Sequence, residues 1–249
     1  MPATFARAIV VGASSGIGRA LAVRLAREGT HLALVARRQA LLEELARELE
    51  ETSERPVRAY SHDVIRHEDV PALFQDICRD LGGLDLVVYA AGAMPHVGEE
   101  EYTFAKDREI VEVNVLGAVA WLNEAAQRFT RARAGTIVGL SSVAGDRGRR
   151  GNPVYCASKA ALDTYLESLR NRIGRFGVAV VTVKPGPVAT SMSAGRDRLP
   201  FRISADEAAR HILAAARRRS RVAYVPAKWR PIMYVIRHIP SVVFQRLNV

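Results

Sequence analysis

The segment from Arg7 to Leu21 reads RAIVVGASSGIGRAL, an apolar, β-branched run followed by a glycine-rich turn and then by helical spacing. The glycines allow a tight turn and let a pyrophosphate group approach the backbone and the N-terminus of the following helix. A strand, such a turn and a helix in this order predict a binding site for a dinucleotide. The turn residues assigned to this site are Gly12, Ser14, Ser15, Gly16, Ile17 and Gly18.

Short apolar runs alternate with longer amphipathic runs along the rest of the chain. Strand-like segments occur at 7–13, 31–36, 57–64, 84–92, 135–142, 178–186 and 221–226, and helical patterns at 16–28, 38–52, 68–81, 103–130, 153–174 and 205–219. Repeated βα units of this spacing predict a doubly wound (Rossmann-type) α/β fold, with a parallel sheet and helices on both faces. We expect one domain over 1–228 and a basic, amphipathic tail over 229–249 that is continuous with it.

The composition of the 249 residues, 49% hydrophobic and 25% charged, is that of a globular protein with a large core. Its two cysteines provide no disulfide framework, and its six histidines form no cluster with metal-ligand spacing, so we expect no structural metal. The sequence has neither a secretory-signal pattern nor an uninterrupted run of about 18 apolar residues. We therefore expect a cytoplasmic protein, and we expect no nucleic-acid partner.

The end of the second predicted strand indicates which dinucleotide is bound. Enzymes that use NAD usually place an acidic residue there, which holds the ribose 2′-hydroxyl. This chain has Ala36 followed by Arg37 and Arg38, and two guanidinium groups are suited to a 2′-phosphate. The sequence therefore predicts NADP(H). For either arginine, the alternative is an exposed position at the start of the second helix.

Tyr155 and Lys159 are spaced for one face of a helix, one turn apart. A lysine ammonium beside a phenol favours the phenolate and lowers the tyrosine pKa from about 10. Such a pair provides a proton donor that works near neutral pH. The alternative is a surface tyrosine followed by a surface lysine, because the YxxxK pattern alone has little specificity.

Small and polar residues follow the later predicted strands, where open parallel sheets bind ligands. Taken with the turn and the Tyr–Lys pair, they make the chain resemble the short-chain dehydrogenase/reductase family over essentially its whole length. The matching motifs are GASSGIG at 12–18, DV at 63–64, AAG at 90–92, Asn114, SS at 141–142, YCASK at 155–159 and PG at 185–186. The resemblance implies a seven-stranded sheet and nicotinamide-dependent oxidoreduction. Tyr89 stands where many members have Asn before AAG, a departure that we expect to be tolerated.

The resemblance also implies a role for each residue of the catalytic set. Tyr155 would donate a proton to the carbonyl oxygen, Ser142 would orient that oxygen, and Lys159 would hold the nicotinamide ribose. Asn114 would position a water that links Lys159 to solvent. Besides the turn, the arginines and the Tyr–Lys pair, the cofactor contacts implied are Asp63, Val64, Ala91, Gly92, Pro185, Gly186, Val188 and Thr190. Because the catalytic set is complete, an enzyme is favoured over a non-catalytic nucleotide-sensing protein.

Most of the net charge of +10 lies near the C-terminus, where residues 196–249 hold twelve Lys or Arg and three acids. In the same segment, Ile232, Met233, Ile236 and Ile239 recur at helical spacing between arginines. An apolar stripe edged by arginine is typical of a helix that lies on an anionic membrane surface. The alternative is a C-terminal helix that packs on the core or on a second subunit.

A narrower resemblance involves the C-terminal half. The segments 145–163 and 185–194, and the pattern RxxMxxxRHIPxxxFxxL that starts at Arg230, are similar to the decaprenylphosphoryl-2-keto-ribose reductases. This similarity implies a lipid-linked or otherwise hydrophobic carbonyl substrate, such as a polyprenyl-phosphate 2-keto-pentose, and a peripheral position at the inner face of the membrane. The alternative is a soluble small ketone or 3-oxoacyl substrate with a purely structural tail. In either case we expect a homo-oligomer.

Overall fold

The apolar runs form seven parallel strands of one twisted sheet. The computed structural model describes residues 5–193 and 199–247, so parts of the predicted domain, of the loop after Thr190 and of the tail lie outside the described residues. The strands are β1 (Arg7–Val11), β2 (His31–Ala36), β3 (Val57–Ser61), β4 (Leu86–Tyr89), β5 (Thr136–Leu140), β6 (Ala179–Pro185) and β9 (Val222–Val225). Their order is β3-β2-β1-β4-β5-β6-β9, and a separate short pair joins β7 (Val188–Ala189) to β8 (Ile203–Ser204).

Helices connect the strands, as the predicted βα units require. They are α1 (Gly16–Arg27), α2 (Gln39–Glu50), α3 (Val70–Leu81), α4 (Phe104–Val111), α5 (Gly117–Ala132), α6 (Pro153–Ile173) and α7 (Ala205–Arg217), with α8 (Trp229–His238) and α9 (Ser241–Phe244) in the tail. The prediction of a doubly wound sheet is confirmed. Ser204 caps helix α7: its hydroxyl accepts a 3.0 Å hydrogen bond from the Glu207 amide.

The core consists of two apolar layers, one on each face of the sheet. In β1, Ala8 and Val10 pack in the layer with α1, α2 and α7, whereas Ile9 and Val11 pack in the layer with α3, α5 and α6. The same alternation occurs in β2 and β4. Because both faces of the sheet are covered, nearly every strand position is apolar. The strands could therefore be predicted from the sequence as continuous apolar runs.

One predicted helix is interrupted in the structure. The pattern over 103–130 predicts a continuous helix, but a π-helical turn over Glu112–Leu116 separates α4 from α5. The prediction of an uninterrupted helix is therefore wrong at this point. A π-turn adds a residue to the helix without disturbing the apolar stripe on either side, so periodicity does not reveal it.

The tail packs on the carboxyl edge of the sheet through three of the four residues of its apolar stripe. Met233 is buried, and Ile232 and Ile236 pack with it against Val143 and Trp229. These three stripe residues therefore pack on the body of the protein, which is the alternative to a stripe that faces a membrane surface. The large apolar side chains of the tail that remain exposed are Tyr234, Val235, Val242, Val243 and Leu247. Within the described residues, no helix is both long and apolar enough to cross a bilayer.

The basic residues that flank β9 lie at two opposite edges of the sheet. Arg217 to Arg221 end α7 and lead into β9, so they lie at the edge where the strands begin. There Arg217 pairs with Glu28, and Arg219 donates to the Gly177 carbonyl. Lys228, Arg230 and Arg237 follow β9 at the opposite, carboxyl edge. The charge that is continuous in sequence is therefore divided in space.

Candidate active site

Tyr155 and Lys159 lie buried side by side in the first two turns of α6. Tyr155 is 8% exposed and Lys159 is 4% exposed, which excludes the alternative of a surface pair. The Lys159 ammonium donates a 3.0 Å hydrogen bond to the Leu140 carbonyl at the end of β5, and it lies 5.7 Å from the centroid of the Tyr155 ring. The pair is thereby fixed to the carboxyl edge of the sheet.

Burial determines the charge of Lys159. It lowers the pKa of this ammonium from its ordinary value to about 8, while the nearby Asp163 carboxylate acts in the opposite direction. At neutral pH the side chain is therefore still mostly an ammonium. A cation held next to a phenol stabilises the phenolate, which is the arrangement required for proton transfer.

Ser142 lies at the end of β5 and caps the 3₁₀ turn formed by Val143–Asp146. Its Oγ accepts a 3.1 Å hydrogen bond from the Ala144 amide, and the Pro185 carbonyl on the neighbouring strand is 3.5 Å away. The amide contact fixes the hydroxyl oxygen, while the distant carbonyl holds the hydroxyl proton only weakly. Ser142 is thus free to donate to a ligand.

Asn114 lies in the π-turn and is fully buried. Its Oδ1 accepts a 2.8 Å hydrogen bond from the Ala93 amide, and its Nδ2 donates at 3.0 Å both to the Ala93 carbonyl and to Ser158 Oγ. A Cβ atom at Gly92 would lie 3.5 Å from Asn114 Oδ1 and 3.7 Å from Lys159 Nζ. Asn114 therefore joins the AAG segment after β4 to the catalytic helix α6.

Tyr89 holds the π-turn in place, a role that the sequence analysis missed. Its hydroxyl donates a 2.6 Å hydrogen bond to the Val113 carbonyl, one residue before Asn114, and the side chain is fully buried. Carbonyls at a π-turn lose their regular α-helical partners, so a side-chain donor is needed there. The sequence did contain a signal for this role, because Tyr89 stands where many family members have Asn.

The glycine-rich turn lies next to the strands that carry the rest of the site. Gly12 has φ +89°, and a Cβ atom there would come within 2.5 Å of the Ala91 amide nitrogen, so a side chain is excluded. Gly16 has φ +55°, and its Cβ position lies 3.1 Å from the Thr190 methyl group. The turn that precedes α1 and the segment that follows β7 thus meet over the carboxyl edge. This arrangement fits a dinucleotide, whose pyrophosphate needs bare backbone at a helix N-terminus.

The two arginines after β2 have different surroundings. The Arg38 guanidinium donates hydrogen bonds to Ser14 Oγ at 2.8 Å and to Ser15 Oγ at 2.6 Å, so it lies over the glycine-rich turn. Both side chains are exposed, and Arg37 donates no side-chain hydrogen bond to a described residue. The sequence predicts both as candidates for a 2′-phosphate, and the structure places Arg38 beside the turn.

The remaining predicted contacts also line the carboxyl edge. Asp63 follows β3, where its Oδ1 accepts a 3.3 Å hydrogen bond from the Ile65 amide, and Val64 is buried beside it. Val188 is buried in β7. Ile17 packs against the α1 side of the core.

The Pro185–Gly186 turn is covered by a residue of the tail, a second contact that the sequence analysis missed. A Cβ atom at Gly186 would lie 2.0 Å from the Trp229 Nε1 atom, so the indole packs directly on this glycine. Trp229 is 9% exposed and makes an edge-to-face contact with Phe201, 6.0 Å between ring centroids. The tail therefore forms one wall of the site.

Comparisons with known proteins agree with this geometry. The family model for short chain dehydrogenases matches residues 6–198. A Myxococcus xanthus protein described as an uncharacterized oxidoreductase is 34% identical over 206 residues, which cover 82% of this chain and 81% of that protein. A Staphylococcus epidermidis oxidoreductase, also uncharacterized, is 32% identical over 190 residues, which cover 76% of this chain and 81% of that protein.

Solved structures show the same fold. A short-chain dehydrogenase from Sphingobium yanoikuyae in complex with NADPH aligns with a TM-score of 0.81 and 28% identity, covering 94% of this chain and 96% of that chain. A short-chain type dehydrogenase/reductase from Mycobacterium ulcerans aligns with a TM-score of 0.80 and 25% identity, covering 88% and 87%. The present chain therefore belongs to the short-chain dehydrogenase family and is an oxidoreductase of that family.

Proposed function

We propose that the protein is an NADPH-dependent reductase that converts a ketone into a secondary alcohol, or catalyses the reverse oxidation. The observation that carries this proposal is the buried Tyr155–Lys159 pair, which lies at the same sheet edge as Ser142 and the glycine-rich turn. A non-catalytic nucleotide-sensing protein has no need of a buried lysine beside a tyrosine, because burying an ammonium is unfavourable.

NADP(H) is the cofactor that the residues fit. Gly12, Gly16 and the start of α1 would hold its pyrophosphate, and Arg38 beside Ser14 would hold its 2′-phosphate. The Sphingobium yanoikuyae relative was crystallised with NADPH, which supports this assignment. When bound, the cofactor supplies the hydride.

The chain's own residues manage the proton. As negative charge builds on the ketone oxygen, Tyr155 donates its hydroxyl proton to that oxygen. Ser142, whose oxygen is fixed by the Ala144 amide, donates a hydrogen bond to the same oxygen and orients it. The Lys159 ammonium uses one hydrogen on the Leu140 carbonyl, which leaves two for the ribose hydroxyls of the cofactor.

We propose further that the ketone belongs to a hydrophobic or lipid-linked molecule, such as a polyprenyl-phosphate 2-keto-pentose. Met192 is 42% exposed, and its Cε lies 3.7 Å from the Cβ position of Gly92, so it borders the catalytic group. Phe201 is 48% exposed and packs on Trp229, which covers Gly186. These side chains make an apolar approach to the site, which favours this class over a small soluble ketone or a 3-oxoacyl substrate.

The tail fits the same substrate class. We propose that residues 229–249 extend the domain of residues 1–228 and lie on the inner face of an anionic membrane. Tyr234, Val235, Val242 and Val243 would contact the lipid, with nearby arginines at the phosphates. A second copy of this chain in a homo-oligomer is the alternative cover for these side chains.

The experiment that tests this proposal measures NADPH consumption with matched pairs of ketones, one short and soluble and one carrying a long apolar chain. We expect turnover that Tyr155→Phe lowers by about 10²-fold or more, with kcat/KM higher for the long-chain member of each pair. Equal kcat/KM within every pair would contradict the hydrophobic substrate, and NADPH consumption by Tyr155→Phe within tenfold of the parent rate would contradict the reductase.

A further inference from the structure

Three charged side chains outside the catalytic set form a buried row behind Lys159. The Lys184 ammonium on β6 lies 2.6 Å from Asp146 Oδ1 and 2.9 Å from Asp163 Oδ2. The side chains of Asp146, Lys184 and Asp163 are 1%, 9% and 15% exposed. Asp163 is four residues after Lys159 on α6, on the same face of the helix. The order in space is thus Asp146, Lys184, Asp163, Lys159.

The row contains two ammonium groups and two carboxylates, so its charges balance with one carboxylate for each lysine. Among the described residues, Lys159 and Lys184 are the lysines that are buried, and each needs a carboxylate nearby because a buried ammonium without one is strongly unfavourable. Lys184 contacts Asp146, whose other oxygen accepts a 2.8 Å hydrogen bond from the Tyr224 hydroxyl. Asp163 is the carboxylate that remains for Lys159, and both of its oxygens are shielded from solvent.

The backbone fixes Asp163 in this position. A Cβ atom at Gly145 would lie 2.7 Å from Asp163 Oδ2 and 2.8 Å from the Lys159 carbonyl carbon, so the turn after Ser142 packs directly against α6 at this point. The Ser141 hydroxyl also donates a 3.2 Å hydrogen bond to the Lys159 carbonyl. The row therefore links the loop that carries Ser142 to the helix that carries Tyr155 and Lys159.

The groups that face Lys159 come from several elements. Tyr155 and Asp163 are on α6 and the neutral Asn114 is on the π-turn, while Lys184 on β6 contacts Asp163. Farther along the row are Asp146, Tyr224 on β9 and, 3.9 Å from Asp146, the largely exposed Arg237 of α8. Of these, Asp163 is the carboxylate that raises the pKa of Lys159. Burial raises the pKa of Asp163 itself, and Lys184 opposes that rise.

We infer that Asp163 is a positioning residue for the reaction, because its carboxylate is the counter-charge that keeps Lys159 an ammonium inside the protein. The inference rests on the function proposed above for Lys159. Lys184, which contacts the same carboxylate from the neighbouring strand, competes with Lys159 for it.

The chain contains four lysines, at 106, 159, 184 and 228, so each can be followed in protein labelled with ¹³C at the lysine ε-carbon. The test is the titration of Lys159 in Asp163→Asn, with Glu167→Gln, an exposed carboxylate one turn further along α6, as the matched control. We expect the Lys159 midpoint to fall by on the order of one pH unit in Asp163→Asn. We expect it to stay in place in the control.

The direction of this shift separates a charge effect from a loss of structure. Loosening of the site would admit water and move the midpoint up, towards the ordinary lysine value near 10.4. An unchanged or higher midpoint in folded Asp163→Asn would therefore overturn the inference. If that variant does not fold, Lys184→Met replaces it: removing the cation that competes for Asp163 should leave the Lys159 midpoint at or above the parent value, and a lower midpoint would overturn the inference.

A pH profile then connects the titration to the reaction. Lys159 is charged below its pKa, so activity that needs the ammonium is lost as the pH rises through that pKa. The alkaline limb of kcat/KM should begin at lower pH in Asp163→Asn than in the parent and in Glu167→Gln, and an alkaline limb that does not move would contradict the inference. Because the titration needs no cofactor or substrate, a parent protein that reduces no ketone would contradict the proposed function without affecting the titration result.

Discussion

The Tyr89 hydroxyl donates a 2.6 Å hydrogen bond to the Val113 carbonyl, and this bond ties the end of β4 to the π-turn that presents Asn114. The bond is fully buried, and the hydroxyl lies 2.7 Å from the Cβ position of Gly117, so no larger residue fits at 117. The position of Asn114 therefore depends on a side chain from a neighbouring strand.

Tyr89→Phe should destabilise the protein and disturb the site. The Val113 carbonyl would be left buried without its donor, which costs about 1–3 kcal/mol. We expect a lower urea midpoint together with a reduced kcat, because Asn114 is held less firmly. Trp121→Phe is the control, since it changes an aromatic side chain of the same apolar layer away from the π-turn carbonyl. Equal kcat for Tyr89→Phe and the parent would contradict the role assigned to Tyr89.

Arg38→Ala should weaken NADPH binding more than Arg37→Ala. Both arginines are exposed, but Arg38 donates hydrogen bonds to Ser14 and Ser15, and Arg37 makes no such contact with a described residue. A charge-assisted contact with a phosphate contributes roughly 1.5–3 kcal/mol, so the Kd for NADPH should rise by about 10- to 150-fold in Arg38→Ala. The Kd for NADH, which has no 2′-phosphate, should change little. Titrations that follow tryptophan fluorescence would measure both constants, and a larger effect from Arg37→Ala would reverse the assignment.

The proposal that the tail binds a membrane should be tested by substituting exposed residues and not by truncation. Trp229 and Met233 pack on Gly186 and Val143, so removal of the tail would damage the active site as well as any membrane contact. Val235→Asp and Val242→Asp change exposed side chains instead. Both should weaken cosedimentation with anionic vesicles at low salt while leaving turnover of a soluble ketone unchanged.

Two results would contradict the membrane proposal for the tail. One is a parent protein that stays in the supernatant with anionic vesicles at low salt. The other is a dimer that both aspartate substitutions dissociate, since that outcome would assign the exposed valines to an interface between copies of this chain.

Most of the fold could be predicted because burial on both sides gives the strands continuous apolar runs. His31–Ala36 is predicted to the residue for this reason. The π-turn could not be predicted, since an inserted residue leaves the apolar stripes of α4 and α5 intact. The division of the basic residues between two edges was also missed, because strand β9 itself runs across the sheet and separates Arg219 from Lys228 in space.

Asp163 and Lys184 show a different limit of the sequence analysis. In sequence, each is an ordinary charged residue, and such residues are mostly exposed. Their burial results from the packing of β6, of the turn after Ser142 and of α6, which are brought together only by the tertiary fold. No short stretch of sequence could therefore have indicated that these charged residues lie together.

The most direct test of the account is Tyr155→Phe, measured as NADPH oxidation in the presence of a ketone that the parent reduces. The substitution removes the hydroxyl proposed to donate the proton and keeps the ring that packs at the start of α6. We predict a fall in kcat of about 10²- to 10⁴-fold, with the thermal midpoint and the Kd for NADPH close to those of the parent. A kcat within tenfold of the parent value would contradict the central claim that Tyr155 is the proton donor.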